Sequence, residues 1–537
     1  MSASFLVAGV FRSMGSCPVA TGRMVRRAVP RRLARDDSCR VASRAAFHRR
    51  DVGLVMLAAR HASTGREPFV MHENEVFDVV VVGAGPVGMT VAERVARAGP
   101  TVAVVEERLV GGECNYYGCV PSKAMLWPME IAADVSRMPG LELGGPIDAA
   151  AVLDRREEFV SHFDDSDYVS GLNDLPATFV RGRGRLSGPS QVAVRTPDGG
   201  TLSLRAGEAV VLATGSTPAI PGIPGLREAR PWTNQEATSA RQVPERLVVI
   251  GAGPVACEMA QALHALGARE VTMLVRGDRL LAQTEPFAGD LVAKSFAGLG
   301  IDVRFRHTAV RVERPVPKGP VSVHTDAGER IDADEILVAA GRRLAVADLG
   351  LETVGVDADG PIIVDARMRA TAVPDGWLYA VGDVNGRNLL THMGKYQARV
   401  CADVITARSG GLEGDIADER GAPQVIFTDP QVCAVGLTEA RARAAGFMVR
   451  TVEYDLAAVI GARLRGDDYQ GRAKLVVDEE RRVLLGATFV GPSVVDLLHS
   501  ATIAVTCEAS LDQLRHAVPV FPTVSEIWLS LQTEYGL

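Results

Sequence analysis

Two cysteines with four residues between them stand in Gly112-Glu113-Cys114-Asn115-Tyr116-Tyr117-Gly118-Cys119-Val120-Pro121-Ser122-Lys123. Thiols this close can interconvert with a disulfide, and beside a dinucleotide-binding unit they point to a pair that exchanges electrons with a flavin. Residues five apart in an ideal helix have Cα atoms about 8.6 Å apart. A disulfide needs roughly 4.4–6.8 Å, so the segment is expected to be a distorted helix start. Gly118 and Pro121 are the residue types that permit one. The spacing alone also fits a static structural disulfide or two buried thiols. What flanks the pair favours redox chemistry.

The elements that must position the pair are legible as two strand–glycine turn–helix units. Phe77–Val82 is apolar apart from Asp78, as a buried parallel strand is. Gly83-Ala84-Gly85-Pro86-Val87-Gly88 follows, then a helical pattern to Ala98 and a second strand ending at Glu106. Gly83, Gly85 and Gly88 let the backbone approach a pyrophosphate at the helix N-terminus, and Glu106 can accept from a ribose hydroxyl. A second copy runs from Arg246–Ile250 through Gly251-Ala252-Gly253-Pro254-Val255-Ala256 to a strand ending Val275-Arg276. Here Ala256 replaces the third glycine and Arg276 replaces the acid. An acid there would repel a 2′-phosphate, whereas Arg276, helped by Arg279, would attract one. This favours NADPH over NADH, and the alternative for Arg276 is a solvated surface charge. Two nucleotide turns plus a cysteine pair are what flavin-mediated transfer requires, one turn for FAD and the other for nicotinamide.

A chain of 537 residues is too long for one core. No apolar run approaches the roughly 18 residues of a membrane span. The other six cysteines, Cys17, Cys39, Cys257, Cys401, Cys433 and Cys507, are scattered. A secreted disulfide framework and a zinc ribbon are therefore disfavoured, no metal site is expected, and a reducing, cytoplasmic compartment fits. Residues 1–70 carry +9, which leaves −16 on the rest of a chain whose net charge is −7. An acidic body argues against a nucleic-acid partner. The basic N-terminal stretch fits an organellar transit peptide. The preference for Arg over Lys throughout the chain, and Met71 just before the first strand, instead favour a disordered extension.

With these motifs in order, the chain from about residue 76 to its end resembles the class I pyridine nucleotide-disulfide oxidoreductases, the family of glutathione reductase, dihydrolipoamide dehydrogenase and mercuric reductase. Ala209-Val210-Val211-Leu212-Ala213-Thr214-Gly215-Ser216 is similar to the family's strand and turn returning toward the flavin. Ala380-Val381-Gly382-Asp383 resembles its second FAD signature, and Pro423–Pro430 the opening of its dimerisation domain. The resemblance implies two Rossmann-like doubly wound nucleotide-binding domains plus a C-terminal α/β dimerisation domain, in a homodimer. The expected divisions are an extension at 1–75, an FAD domain split over 76–220 and 347–418, an NAD(P) domain at 221–346 and an interface domain at 419–537.

By the same resemblance Cys114 is the thiol that attacks substrate and Cys119 the thiol stacked on the flavin, where a helix N-terminus lowers its pKa. Lys123 and Glu258 match a pair near the flavin N5. Thr391 begins a helix aimed at the flavin, with His392 beside it, and Asp383 holds the ribityl chain. Gly112, Thr214, Gly215, Gly341 and Gly382 complete the candidate cofactor-binding positions. Pro254 stands where the family often has an aromatic gate over the nicotinamide.

One departure limits the substrate. The family's His-Pro-Thr-x-x-Glu ending reads Phe521-Pro522-Thr523-Val524-Ser525-Glu526 here. Phenylalanine moves no proton, and loss of a general acid/base typically costs about 10²–10⁴ in rate. His516 fills the role only if the loop differs. Glu526, a candidate catalytic residue by the resemblance, is also expected to form a capping box with Thr523 at the last helix. The bulky Tyr116-Tyr117 is expected to restrict access to the pair. The function implied is an NAD(P)H-dependent flavoprotein disulfide oxidoreductase that passes hydride through FAD to Cys114–Cys119 and on to a small external acceptor, a disulfide or a small oxidant. The alternatives are a quinone reductase or diaphorase using flavin directly, a mercuric reductase-like enzyme, or a dihydrolipoamide dehydrogenase-like one.

Overall fold

The computed structural model describes residues 75–412 and 414–537. The expectations for the N-terminal extension lie outside the described residues, except that the first strand, Glu75–Val82, already begins at Glu75. The helix Pro86–Ala98 and the strand Val102–Glu106 follow it. Val79–Val81 and Val102–Val104 are fully buried. Such unbroken apolar runs need cover on both faces, which parallel strands with crossover helices supply.

Ala177–Arg181, Val102–Glu106, Glu75–Val82 and Thr201–Leu212 lie side by side in parallel. An antiparallel arm, Gln191–Arg195 and then Arg183–Gly188, leaves the first residues of Thr201–Leu212. The chain then builds a second parallel sheet in the order Asp302–Phe305, Glu270–Val275, Arg246–Ile250, Glu335–Val338. An antiparallel trio, Ala309–Glu313, Val321–Thr325 and Arg330–Ala333, accompanies it. Leu378–Ala380 returns to pair with Val210–Leu212 of the first sheet. The last part is a five-stranded antiparallel sheet running Gln424–Ile426, Gln431–Gly436, Val483–Gly491, Arg472–Asp478, Val449–Asp455. Leu497, Leu498 and Ala501 of the helix Val495–Thr506 and Ile527 and Leu531 of the helix Ile527–Tyr535 share its apolar core.

The helix Cys119–Arg137 joins these parts. Its Met125, Leu126 and Met129 are buried in one cluster with Val249, Met259 and Ala260 of the second nucleotide unit and with Ile426 and Val432 of the last sheet.

The capping box expected at Thr523 and Glu526 does not form. A 3₁₀ turn, Val524–Glu526, precedes the final helix, and neither side chain caps it. The Thr523 hydroxyl instead donates to the Val520 carbonyl at 2.6 Å. The tighter turn bonds the Glu526 N–H to the Thr523 carbonyl at 3.1 Å, so the backbone meets the need that the box would have served.

Candidate active site

The cysteine segment has the expected break. A short helix, Gly112–Tyr116, stops at Tyr117, and a new one starts at Cys119. Gly118 between them has φ −129° and ψ −108°, outside both regular regions. A Cβ there would lie 3.2 Å from the Glu113 carbonyl oxygen and 3.3 Å from Cys114 Cα. Both cysteines are free thiols in this structure.

Thr391, the first residue of the helix Thr391–Ile405, addresses both sulfurs. Its hydroxyl is 3.1 Å from Cys114 Sγ and 3.5 Å from Cys119 Sγ. The two thiols share one proton unequally. The hydrogen bond from Cys114 holds Cys119 down at about 6, helped by the Thr391 hydroxyl and the charge of Lys123 against the cost of burial. Cys114, donating to Cys119 and half-buried, is pushed well above the ordinary thiol range. The arrangement is a thiol at Cys114 and a thiolate at Cys119.

Lys123 Nζ lies 2.8 Å from Glu258 Oε2, and Glu258 is 5 % exposed. The Phe427 N–H donates to the other carboxylate oxygen at 2.9 Å, and the Phe427 ring faces the ammonium with 4.8 Å from Nζ to its centroid. The lysine is thus held on two sides, one ionic and one aromatic.

The first glycine turn is shaped for an anion. A Cβ on Gly83 would sit 2.5 Å from the Ala213 carbonyl oxygen, and one on Gly88 1.9 Å from that of Gly83. Gly112 packs its backbone against Gly85, where a Cβ on Gly112 would come within 2.7 Å of Gly85 Cα. The helix that follows starts with no side-chain cap, so its first N–H groups remain for a pyrophosphate. Glu106 accepts from the Ala84 and Arg108 N–H groups at 2.8 Å each, which ties the turn to the end of the second strand.

Asp383 follows Gly382, whose N–H donates to Gln397 at 2.8 Å. Burial raises the Asp383 carboxyl, while the Ser216 hydroxyl and the Arg342 guanidinium favour its charged form. Thr214 donates to the Ala345 carbonyl at 2.9 Å, and Gly215 turns with φ +76°. These groups fit FAD: a glycine cradle for the pyrophosphate, Asp383 for polyol hydroxyls, and the Thr391 helix and Lys123 near the thiols.

In the second turn, a Cβ on Gly251 would be 2.3 Å from the Ala339 carbonyl oxygen, whereas at Gly253 it would meet nothing within 4 Å. Ala256 is fully buried, so the third position accommodates a methyl. Gly341 has φ +123°. Arg276 follows the strand Glu270–Val275 and is exposed, while Arg279 donates to the Ala282 carbonyl at 2.8 Å.

Sequence reasoning missed Arg342, Glu113 and Phe427. Arg342 lies 2.8 Å from Glu113 and donates to Ser216 at 2.6 Å. Glu113 also accepts from Asn234 at 2.9 Å and Gln235 at 3.2 Å. The only sequence signals were adjacency, Glu113 to Cys114 and Arg342 to Gly341. The tyrosines are occupied elsewhere. Tyr116 is buried with its hydroxyl on the Asp164 carbonyl, and Tyr117 stacks on Phe163 beneath the Arg108 guanidinium. His392 Nε2 is 2.7 Å from the Pro423 carbonyl oxygen. Phe521 is 69 % exposed, His516 is exposed, and one buried oxygen of Glu526 has no partner among the described residues.

Comparison with known proteins agrees with this geometry. Residues 77–403 match the pyridine nucleotide-disulphide oxidoreductase family, and residues 422–531 match its dimerisation domain. Dihydrolipoyl dehydrogenase of Chlamydia muridarum is 32 % identical over 466 residues, covering 85 % of this chain and 96 % of that protein. Mercuric reductase of Staphylococcus aureus is 29 % identical over 483 residues, covering 88 % and 86 %. Among solved structures, the Cu(II) complex of the HOCl-induced flavoprotein disulfide reductase RclA from Escherichia coli superposes with a TM-score of 0.74 at 24 % identity, covering 86 % of this chain and 99 % of that one.

Proposed function

The chain belongs to the pyridine nucleotide-disulphide oxidoreductases, and from that premise we propose that Cys114 and Cys119 are its redox pair and NADPH its electron donor. Membership makes it an FAD-dependent NAD(P)H disulfide oxidoreductase with a dimerisation domain that pairs two copies. Among the described residues no helix is long and apolar enough to cross a membrane. A single close cysteine pair suits a reducing compartment, and we place the enzyme in the cytoplasm.

The observation that carries the reading is the Thr391 hydroxyl within 3.1 Å and 3.5 Å of the two sulfurs. Bound FAD supplies the two-electron relay between nicotinamide and the pair. The residues do the rest. Two electrons and one proton convert the disulfide into the Cys114 thiol and the Cys119 thiolate, and the hydrogen bonds here favour that distribution. Lys123, fixed by Glu258 and Phe427, keeps positive charge beside the thiolate. Gly83, Gly85, Gly88 and Gly112 hold the diphosphate of FAD, and Gly251, Gly253 and Ala256 that of NADPH.

The acceptor must do without an acid/base histidine, since Phe521 stands where the family has one. We therefore place small oxidants ahead of glutathione- or lipoamide-type disulfides. The test is anaerobic NADPH titration of the wild type and of Cys114→Ser and Cys119→Ser. The wild type should gain a long-wavelength thiolate-to-flavin band after two electrons. Cys114→Ser, with no disulfide to reduce, should carry the band before NADPH is added and lose it as NADPH bleaches the flavin. Cys119→Ser should show none at any stage. Flavin bleaching without any such band in the wild type would overturn the redox-pair assignment and leave direct transfer from flavin.

A further inference from the structure

The second parallel sheet ends in two arginines rather than one. Val275 and Phe305 are register partners on adjacent parallel strands, so Arg276 and Arg306 leave the same carboxyl edge side by side. Adjacent strands lie about 4.8 Å apart. The two turns are also tied together: the Arg306 N–H donates to the Gly277 carbonyl at 2.8 Å, and the His307 N–H to that of Val275 at 3.1 Å. Arg306 holds φ +58°, a left-handed conformation that a non-glycine residue adopts at some cost.

The charges are what need explaining. Arg276 and Arg306 are both exposed, and among the described residues neither side chain has an ion-pair or hydrogen-bond partner. Arg304, in the strand that ends one residue before Arg306, is by contrast paired, 2.7 Å from Asp302 and 2.5 Å from Glu329. Asp278, the acid of the turn, is exposed and pairs with neither. Two unpaired guanidinium groups at one edge repel each other, and an anion between them removes that cost. The edge is the crevice at the carboxyl ends of the strands, beside Gly251 and Gly253, where a dinucleotide lies across a doubly wound sheet.

We propose that Arg306 is a second specificity-determining residue, closing with Arg276 on the adenosine 2′-phosphate of NADPH. Arg306 takes the part that Arg279 has in the sequence, since Arg279 is turned to the Ala282 carbonyl. The inference rests on the NADPH reading above.

The test is calorimetric titration of the purified FAD-containing dimer with 2′,5′-ADP, which carries the 2′-phosphate, and with 5′-AMP, which lacks it. The wild type should bind 2′,5′-ADP more tightly. Arg306→Gln should weaken 2′,5′-ADP on the order of 10- to 100-fold and leave 5′-AMP within about twofold, the mark of one lost charge-assisted contact. Arg304→Gln removes the same charge two residues away and should change neither. If Arg276→Gln weakens 2′,5′-ADP while Arg306→Gln does not, the inference falls and the NADPH reading stands. A wild type that binds the two nucleotides alike overturns both.

Discussion

At the scale of the residue, the chemistry depends on where one proton sits. Cys119 is held at about 6, first by the hydrogen bond from Cys114 and then by Thr391 and Lys123. Its folded pKa is depressed, so the thiolate is present above that value and is lost as pH falls through it. In the two-electron-reduced enzyme the long-wavelength band should therefore persist at neutral pH and fade with a midpoint near 6. Thr391→Val keeps the shape and deletes the hydroxyl. Hydrogen bonds to charged groups contribute ~1.5–3 kcal/mol, thiol acceptors less, and one pKa unit is 1.36 kcal/mol. The midpoint should move up by about one unit, and Thr391→Ser should restore it. A midpoint unmoved in Thr391→Val would remove Thr391 from the account. The thiols themselves were plain in the sequence, because their spacing is local. The groups that tune them were less so. Phe427 reaches Glu258 across 169 positions and Asn234 reaches Glu113 across 121, and no periodicity encodes such meetings.

At the scale of the element, glycine and strand patterns were legible for a steric reason. Unbroken valine runs fit only strands covered on both faces, and each glycine turn must pass close to another backbone. Gly112 was legible only through the resemblance, not through the pattern of the turn. It lies outside the first glycine turn, yet its φ of +62° and its approach to Gly85 make it part of the same cradle. Gly112→Ala would strain the backbone by roughly 1–2 kcal/mol and press a methyl on Gly85. We expect the variant to fold but to purify with a markedly lower flavin-to-protein ratio, read from the visible and ultraviolet absorbance. A wild-type ratio would mean that the Gly112–Gly85 contact does not shape the site. The capping box at Thr523 failed for the opposite reason: its sequence pattern was present, but a 3₁₀ turn satisfied the backbone first.

At the scale of the whole molecule, the segment Phe427–Pro430 binds the parts into one machine. Asp429 exchanges two hydrogen bonds with Gln261, at 2.8 Å and 3.1 Å, accepts from Ser295 at 2.6 Å and pairs with Arg137 at 2.7 Å. Through Phe427 the same segment holds Lys123 and Glu258, so the dimerisation domain is linked to the thiol site within one protomer. An apolar strip lies further along the chain. Val518, Val520 and Phe521 are 83 %, 71 % and 69 % exposed, an apolar strip that a homodimer can cover. If this chain pairs as the disulfide reductases it resembles do, residue 521 of one protomer would face the thiol pair of the other. A phenyl ring at that position would move no proton for Cys114, whose thiol is held well above the ordinary range. Glu526 remains, with a buried oxygen that no described residue satisfies. By the resemblance, that carboxylate is the partner an imidazole at 521 would have. Phe521→His should therefore raise kcat/KM for a small aromatic disulfide by about tenfold or more, short of the 10²–10⁴ of an evolved acid/base. The gain should appear with an ionisation near pH 6.5, that of histidine. Equal rates and an unchanged pH profile would mean that the Cys114 proton leaves by another route, and that the exposed phenylalanine serves the dimer interface alone.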